Sequence, residues 1–214
     1  MKKEIAKLQY ITQQTDTLSH VQAAQKACEA GCNWVQLRVK DTPEAEVQAI
    51  ALKVKAICAL YGATFILNDH VAVAKAVHAD GVHLGKEDMS PKEARKILGK
   101  DAIIGGTANT FEDVQRLAKA GVDYIGAGPF RFTTTKKKLS PVLGAQGYTT
   151  LMANCYEQNI DTPIVAIGGI VAEDMSIIRQ TGVYGVAVSS VITHHQAPAQ
   201  VVETIQTTFD SSKV

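Results

Sequence analysis

The densest run of groups able to bind an anion is Gly126-Ala127-Gly128-Pro129-Phe130-Arg131-Phe132-Thr133-Thr134-Thr135-Lys136-Lys137-Lys138. Glycine-freed amides, hydroxyls and ammonium groups are what phosphate oxygens require around them. A lysine run alone is commonly a solvated loop, but this one directly follows the apolar segment Val122-Asp123-Tyr124-Ile125, which reads as a buried strand. Two acids, Asp69 and Asp88, each follow a short apolar run. Singly, Asp69 would serve as a helix N-cap and Asp88 as a loop acid. Side by side they would repel unless a cation lay between them, and Mg2+ takes one or two carboxylates together with phosphate oxygens. Arg38 and Lys40 alternate with Leu37 and Val39, so the two cations share one side of an extended segment. They suit a diphosphate or an internal salt bridge to an aspartate, and Gln36 on the same side could read the edge of a heterocycle. Gly168-Gly169 and Ser189-Ser190 complete a set of phosphate-binding candidates.

These residues need elements to bring them together, and the pattern supplies them. Short β-branched runs expected as strands are Leu8–Thr12, Asn33–Lys40, Thr64–Leu67, Gly81–Leu84, Ala102–Gly105, Val122–Ile125, Ile164–Ile167 and Gly185–Val188. Segments at helical spacing separate them, among them Leu18–Ala30, a helix with Pro43 near its first turn, and a helix opened by Ser90-Pro91-Lys92-Glu93. A weak repeat recurs at every second unit: Ala30-Gly31, Ala79-Asp80-Gly81, Ala120-Gly121 and Thr181-Gly182 each turn a helix end into a strand. About eight alternations in so short a chain favour one α/β domain over residues 1–214, a closed (β/α)8 TIM barrel, over an open doubly wound sheet. In such a barrel the active face lies at the C-terminal ends of the strands. Gln36, Arg38, Lys40, Asn68, Asp69, His83, Asp88, Thr107, Asn109, Gly168-Gly169 and Ser189-Ser190 all fall there. His83 is expected to be a packed core residue or one that backs a ligand-contacting group rather than a ligand itself, Trp34 a packing residue, and His194-His195 a surface pair.

Composition excludes several classes. The 214 residues are 46% hydrophobic and 20% charged, with a formal net charge of +1, which argues against a nucleic-acid partner held by bulk charge. No apolar run reaches the length of a membrane span, and Met1-Lys2-Lys3-Glu4 opens a mixed segment unlike a signal peptide. Cys28, Cys32, Cys58 and Cys155 form no C-x-x-C pair and read as reduced thiols, so a cytoplasmic protein is expected.

Taken in order, Gln36-Leu37-Arg38-Val39-Lys40, Asn68-Asp69, Asp80-Gly81-Val82-His83-Leu84-Gly85 through Asp88, the glycine–threonine–lysine stretch, Ala166-Ile167-Gly168-Gly169-Ile170 and Val188–Ser190 resemble the thiamine-phosphate synthase family. The resemblance covers nearly the whole chain. It implies condensation of a pyrimidine diphosphate with a thiazole phosphate and release of pyrophosphate, so two small phosphorylated heterocycles are the expected partners. It leaves room for a homo-oligomer. By that resemblance Gln36, Leu37, Arg38, Val39, Lys40, Asn68, Thr107 and Lys136 hold the pyrimidine diphosphate, and Asp69 and Asp88 carry Mg2+. Thr133, Thr134, Thr135, Gly168, Gly169, Ser189 and Ser190 hold the thiazole phosphate, while Arg38, Lys40 and Lys136 stabilise the departing diphosphate. The sequence departs from the family pattern at Thr107 for a serine, Asn109 for a histidine, Lys86 for a glutamine and Arg131-Phe132 for Phe-Pro. Rival readings are a thiazole tautomerase, which needs a histidine where Asn109 stands, a phosphate-ligand sensor, and a Schiff-base aldolase using Lys136. The last lacks the apolar pocket that a nucleophilic lysine wants.

Overall fold

The computed structural model describes residues 3–132 and 141–210. Its eight strands are β1 (Leu8–Ile11), β2 (Trp34–Leu37), β3 (Thr64–Asn68), β4 (Gly81–Leu84), β5 (Ile103–Ala108), β6 (Tyr124–Ala127), β7 (Ile164–Ile167) and β8 (Gly185–Val188). All neighbours are parallel and in sequence order, and β1 pairs with β8 through Leu8 opposite Val186, which closes the barrel. The expected (β/α)8 architecture is the observed one.

The helices between them are α1 (His20–Glu29), α2 (Glu44–Leu60), α3 (Val71–Ala76), α4 (Pro91–Leu98), α5 (Phe111–Ala120), α6 (Gly144–Glu157), α7 (Met175–Gln180), α8 (Ser190–Thr193) and α9 (Pro198–Asp210). Ser19, Ser90 and Thr110 close capping boxes with Gln22, Glu93 and Asp113, satisfying amides that open a helix. Three of the four helix-to-strand repeats share a hydrogen bond. Cys32 N–H donates to Ala27 O at 3.0 Å, Ala79 to Ala74 at 2.9 Å and Val122 to Leu117 at 3.4 Å, which ends each helix and aims the chain into the next strand.

Alternation along the strands divides the interior into two cores. Leu8, Tyr10, Val35, Leu37, Leu67, Val82, Ile104 and Ile125 face the helices. Ile11, Trp34, Ile66, Tyr124, Val165 and Ala187 fill the barrel itself. The register that packs these layers sends Gln9, Gln36, His83 and Thr107 inward as well, all buried.

Several boundaries differ from expectation. The strand expected over Asn33–Lys40 ends at Leu37. Beyond it Arg38 N–H leaves the ladder for Thr12 Oγ1 at 3.2 Å, so Arg38 and Lys40 stand on a loop at the rim. The fifth strand runs on to Ala108, carrying Thr107 within the barrel wall. The Cys28, Cys32, Cys58 and Cys155 thiols are all free and buried. No helix among the described residues is long and apolar enough to cross a membrane.

Candidate active site

The strand ends converge on a cleft of about 440 Å³ lined by Lys40, Thr42, Asp69, His70, Asp88 and Met89. Asp69 sits where β3 gives way to α3, with a φ of 63° that aspartate tolerates better than most residues. Its N–H donates to His83 O at 2.9 Å, tying the turn to β4. Lys40 forms an ion pair with Asp69. Burial alone would push the Asp69 carboxyl up, but hydrogen bonds with Asp88 and Lys40 and the lysine charge hold it below the usual range. Burial and the same hydrogen bond to Asp69 push Asp88 up to about 6. Two carboxyls that shift each other's ionisation in this way stand close enough to share a cation. They are hard oxygen donors and fit Mg2+, while no cluster of three or more such ligands occurs among the described residues. A cation there would draw its remaining ligands from water and substrate oxygens.

Next to this pair, Asn68 is 6% exposed and its Nδ2 has no hydrogen-bond partner. A buried amide of that kind is costly unless a ligand satisfies it. Thr107 is the last residue of β5 to face the barrel interior, and its Oγ1 lies 3.0 Å from His83 Nε2. Gln36 lies deeper than a rim contact, 1% exposed, with Nε2 donating to Gln9 Oε1 at 2.9 Å. Leu37 and Val39 point into the helix-facing core, which leaves only their backbone for a ligand.

Opposite this cluster lies the turn after β7. Gly168 and Gly169 have φ of 93° and 69°, and a Cβ on Gly168 would come within 2.8 Å of Pro129. Both positions require glycine. Ser190 opens α8, and Ser189 Oγ donates to Gln13 Oε1 at 3.2 Å. Thr133, Thr134, Thr135 and Lys136 lie outside the described residues. Arg131 is exposed, with about half of its side-chain surface open to solvent. It forks onto Asp174 at 2.8 and 2.9 Å and donates to Gly169 O at 2.7 Å, pinning the segment after β6 to the glycine turn. Burial opposes the charge on Asp174, but the Arg131 hydrogen bonds hold its carboxyl below the usual range. At the other departures from the family pattern, Lys86 forms an ion pair with Asp113, and Asn109 Nδ2 donates to Gly128 O. Asn109 thus acts as a strut between β5 and the segment after β6. His83 is a packed interior residue as expected, and His194 and His195 are exposed.

Comparison with known proteins agrees with this fold. The profile of the family described as Thiamine monophosphate synthase matches residues 8–192. The chain belongs to that family. It is 56% identical over 198 residues to the thiamine-phosphate synthase of Phocaeicola vulgatus, covering 92% of this chain and 95% of the relative. It is 48% identical over 187 residues to that of Flavobacterium johnsoniae, covering 87% and 88%. The solved thiamine phosphate pyrophosphorylase of Pyrococcus furiosus superposes with a TM-score of 0.82 at 32% identity over 95% of each chain. As a thiamine-phosphate synthase family member, the chain is a transferase of the pyrophosphorylase type.

Proposed function

We propose that the chain joins 4-amino-2-methyl-5-(diphosphooxymethyl)pyrimidine to 4-methyl-5-(2-phosphooxyethyl)thiazole in the cytoplasm, giving thiamine phosphate and pyrophosphate. The observation that carries the reading is the junction of Lys40, Asp69 and Asp88 beside the unsatisfied Asn68 amide. A diphosphate there meets a cation, two carboxyls suited to Mg2+ and a donor that lacks a partner. Mg2+, when bound to Asp69 and Asp88, supplies positive charge to the leaving group.

In the reaction the methylene C–O bond breaks and its electron pair leaves with the diphosphate. The pyrimidine ring stabilises the resulting carbocation. The thiazole nitrogen then donates its lone pair to the methylene carbon and becomes the thiazolium, so no proton has to be removed. The protein's task is therefore electrostatic and positional. Arg38, Lys40 and Lys136 offset the charge of the departing diphosphate, Asn68 and Thr107 donate to it, and Gln36 with the backbone of Leu37 and Val39 forms the floor beneath the pyrimidine. Thr133, Thr134, Thr135, the Gly168-Gly169 turn, Ser189 and Ser190 hold the thiazole phosphate.

The deciding experiment supplies both substrates to purified protein with and without Mg2+ and measures pyrophosphate and thiamine phosphate together. Release that requires both substrates and the cation is expected. Thiazole phosphate binding with no pyrophosphate released would replace this reading with a tautomerase or a sensor.

A further inference from the structure

A continuous hydrogen-bonded chain crosses the inside of the barrel, linking β1, β2, β4, β5 and β6. Gln36 Nε2 donates to Gln9 Oε1 at 2.9 Å, and Gln9 Nε2 donates to the Tyr124 hydroxyl at 3.2 Å. That hydroxyl lies 3.0 Å from His83 Nδ1, and His83 Nε2 lies 3.0 Å from Thr107 Oγ1. The packing makes room for this chain. A Cβ on Gly105 would meet the Tyr124 ring at 2.2 Å, and one on Gly126 would meet His83 Cε1 at 2.9 Å. Trp34 packs edge-on to Tyr124 with centroids 4.8 Å apart, fixing the ring from below. An apolar filling of the lumen would have needed none of these polar groups.

The chain has a direction. Tyr124 is fully buried, and its hydroxyl already accepts from Gln9. Its own proton needs an acceptor, because a buried donor left without one is costly. His83 Nδ1 is in place to take it. That assignment leaves the imidazole proton on Nε2, where it donates to Thr107 Oγ1. Thr107, having accepted, turns its own hydroxyl proton away from the chain. At 9% it is the most exposed of the five members, and it stands at the end of the chain nearest the strand C-termini.

We propose that Gln9 and Tyr124 are positioning residues of the active site: through the His83 tautomer they make the Thr107 hydroxyl a donor directed at a ligand oxygen, here one on the diphosphate. The inference rests on the reading that the pyrimidine diphosphate occupies the site beside Thr107. Neither Gln9 nor Tyr124 touches substrate. Their effect passes through hydrogen bonds whose order is set before any ligand arrives, so no reorientation is required when charge develops on the leaving oxygen.

The test combines a spectrum with a double-mutant cycle. In the 15N NMR spectrum of the wild-type protein, with His83 assigned by comparison with His83→Gln, an Nε2-protonated ring is expected. An Nδ1-protonated ring overturns the proposal, whatever the variants do. Tyr124→Phe keeps the ring and breaks the chain. It should lower kcat/KM for pyrophosphate release about tenfold in the wild-type background and less than about twofold when Thr107 is already Val. An equal loss in both backgrounds would mean that Tyr124 acts only through packing, and would overturn the proposal. Absence of pyrophosphate release from the wild-type protein would instead refute the proposed reaction, and the spectrum would still decide the direction of the chain.

Discussion

A proton held on the Asp69–Asp88 pair competes with any cation for the same oxygens. With Asp88 pushed up to about 6, the pair carries that proton in mild acid and loses it near neutrality. Cation binding must therefore release a proton, and affinity weakens as pH falls through the Asp88 value. Half-saturating Mg2+ for turnover should be markedly higher at about pH 5.5 than at about pH 7.5, and Asp88→Asn should flatten the difference. Asp69→Ala removes the partner of both Lys40 and Asp88, so turnover should fall by at least about a hundredfold while the circular dichroism spectrum is unchanged. Wild-type-like turnover in that variant would sink the metal and diphosphate assignment. The pair was legible in the sequence because each acid follows a buried run and consecutive parallel strands become neighbours. Gln9 was not, since a lone glutamine between Leu8 and Tyr10 looks like an ordinary polar break in a strand. Its strict alternation with two apolar residues that face the helices was the available signal.

Elements hold the two halves of the site at fixed separation. The segment after β6 is fastened to the turn after β7 by Arg131, whose partner Asp174 lies 43 residues away, a distance at which no local pattern announces a pair. A guanidinium beside threonines and lysines resembles a phosphate ligand, and only the fold reveals it as a fastener. Arg131→Ala should raise KM for the thiazole phosphate by roughly tenfold or more, by loosening the turn, with less effect on KM for the pyrimidine diphosphate. Equal changes in both would mean that the fastener serves the whole barrel. Gly168→Ala forces a left-handed backbone onto a residue with a Cβ against Pro129, and should cost about 1–3 kcal/mol in chemical denaturation. Strand boundaries were less legible than strand existence. Arg38 continues the alternation of β2, but its amide is taken by Thr12, and alternation cannot foretell that a side-chain oxygen will end a ladder. The four-residue helix α8 was missed because so short a turn has no period to detect.

Across the whole molecule, the lumen core and the helix-facing core are separate clusters that share the same eight strands. Trp34, the lone tryptophan, belongs to the inner one, so its fluorescence reports barrel closure, whereas far-ultraviolet dichroism reports mainly the helices. Because both layers depend on the same strands, the two signals should change at one denaturant midpoint. Separate midpoints would mean that the outer layer outlives the inner. The order of pairing also has a bearing on how this chain is made. Leu8 meets Val186 only once β8 is made, so a nascent chain emerging from the ribosome at roughly 5–20 residues per second leaves one edge of β1, whose other edge pairs with β2, open for on the order of ten seconds or more. Throughout synthesis the growing sheet keeps two raw edges, each able to pair with a neighbour on the same polysome. A ribosome stalled anywhere before β8 would therefore carry a sheet that no rearrangement of its own can seal.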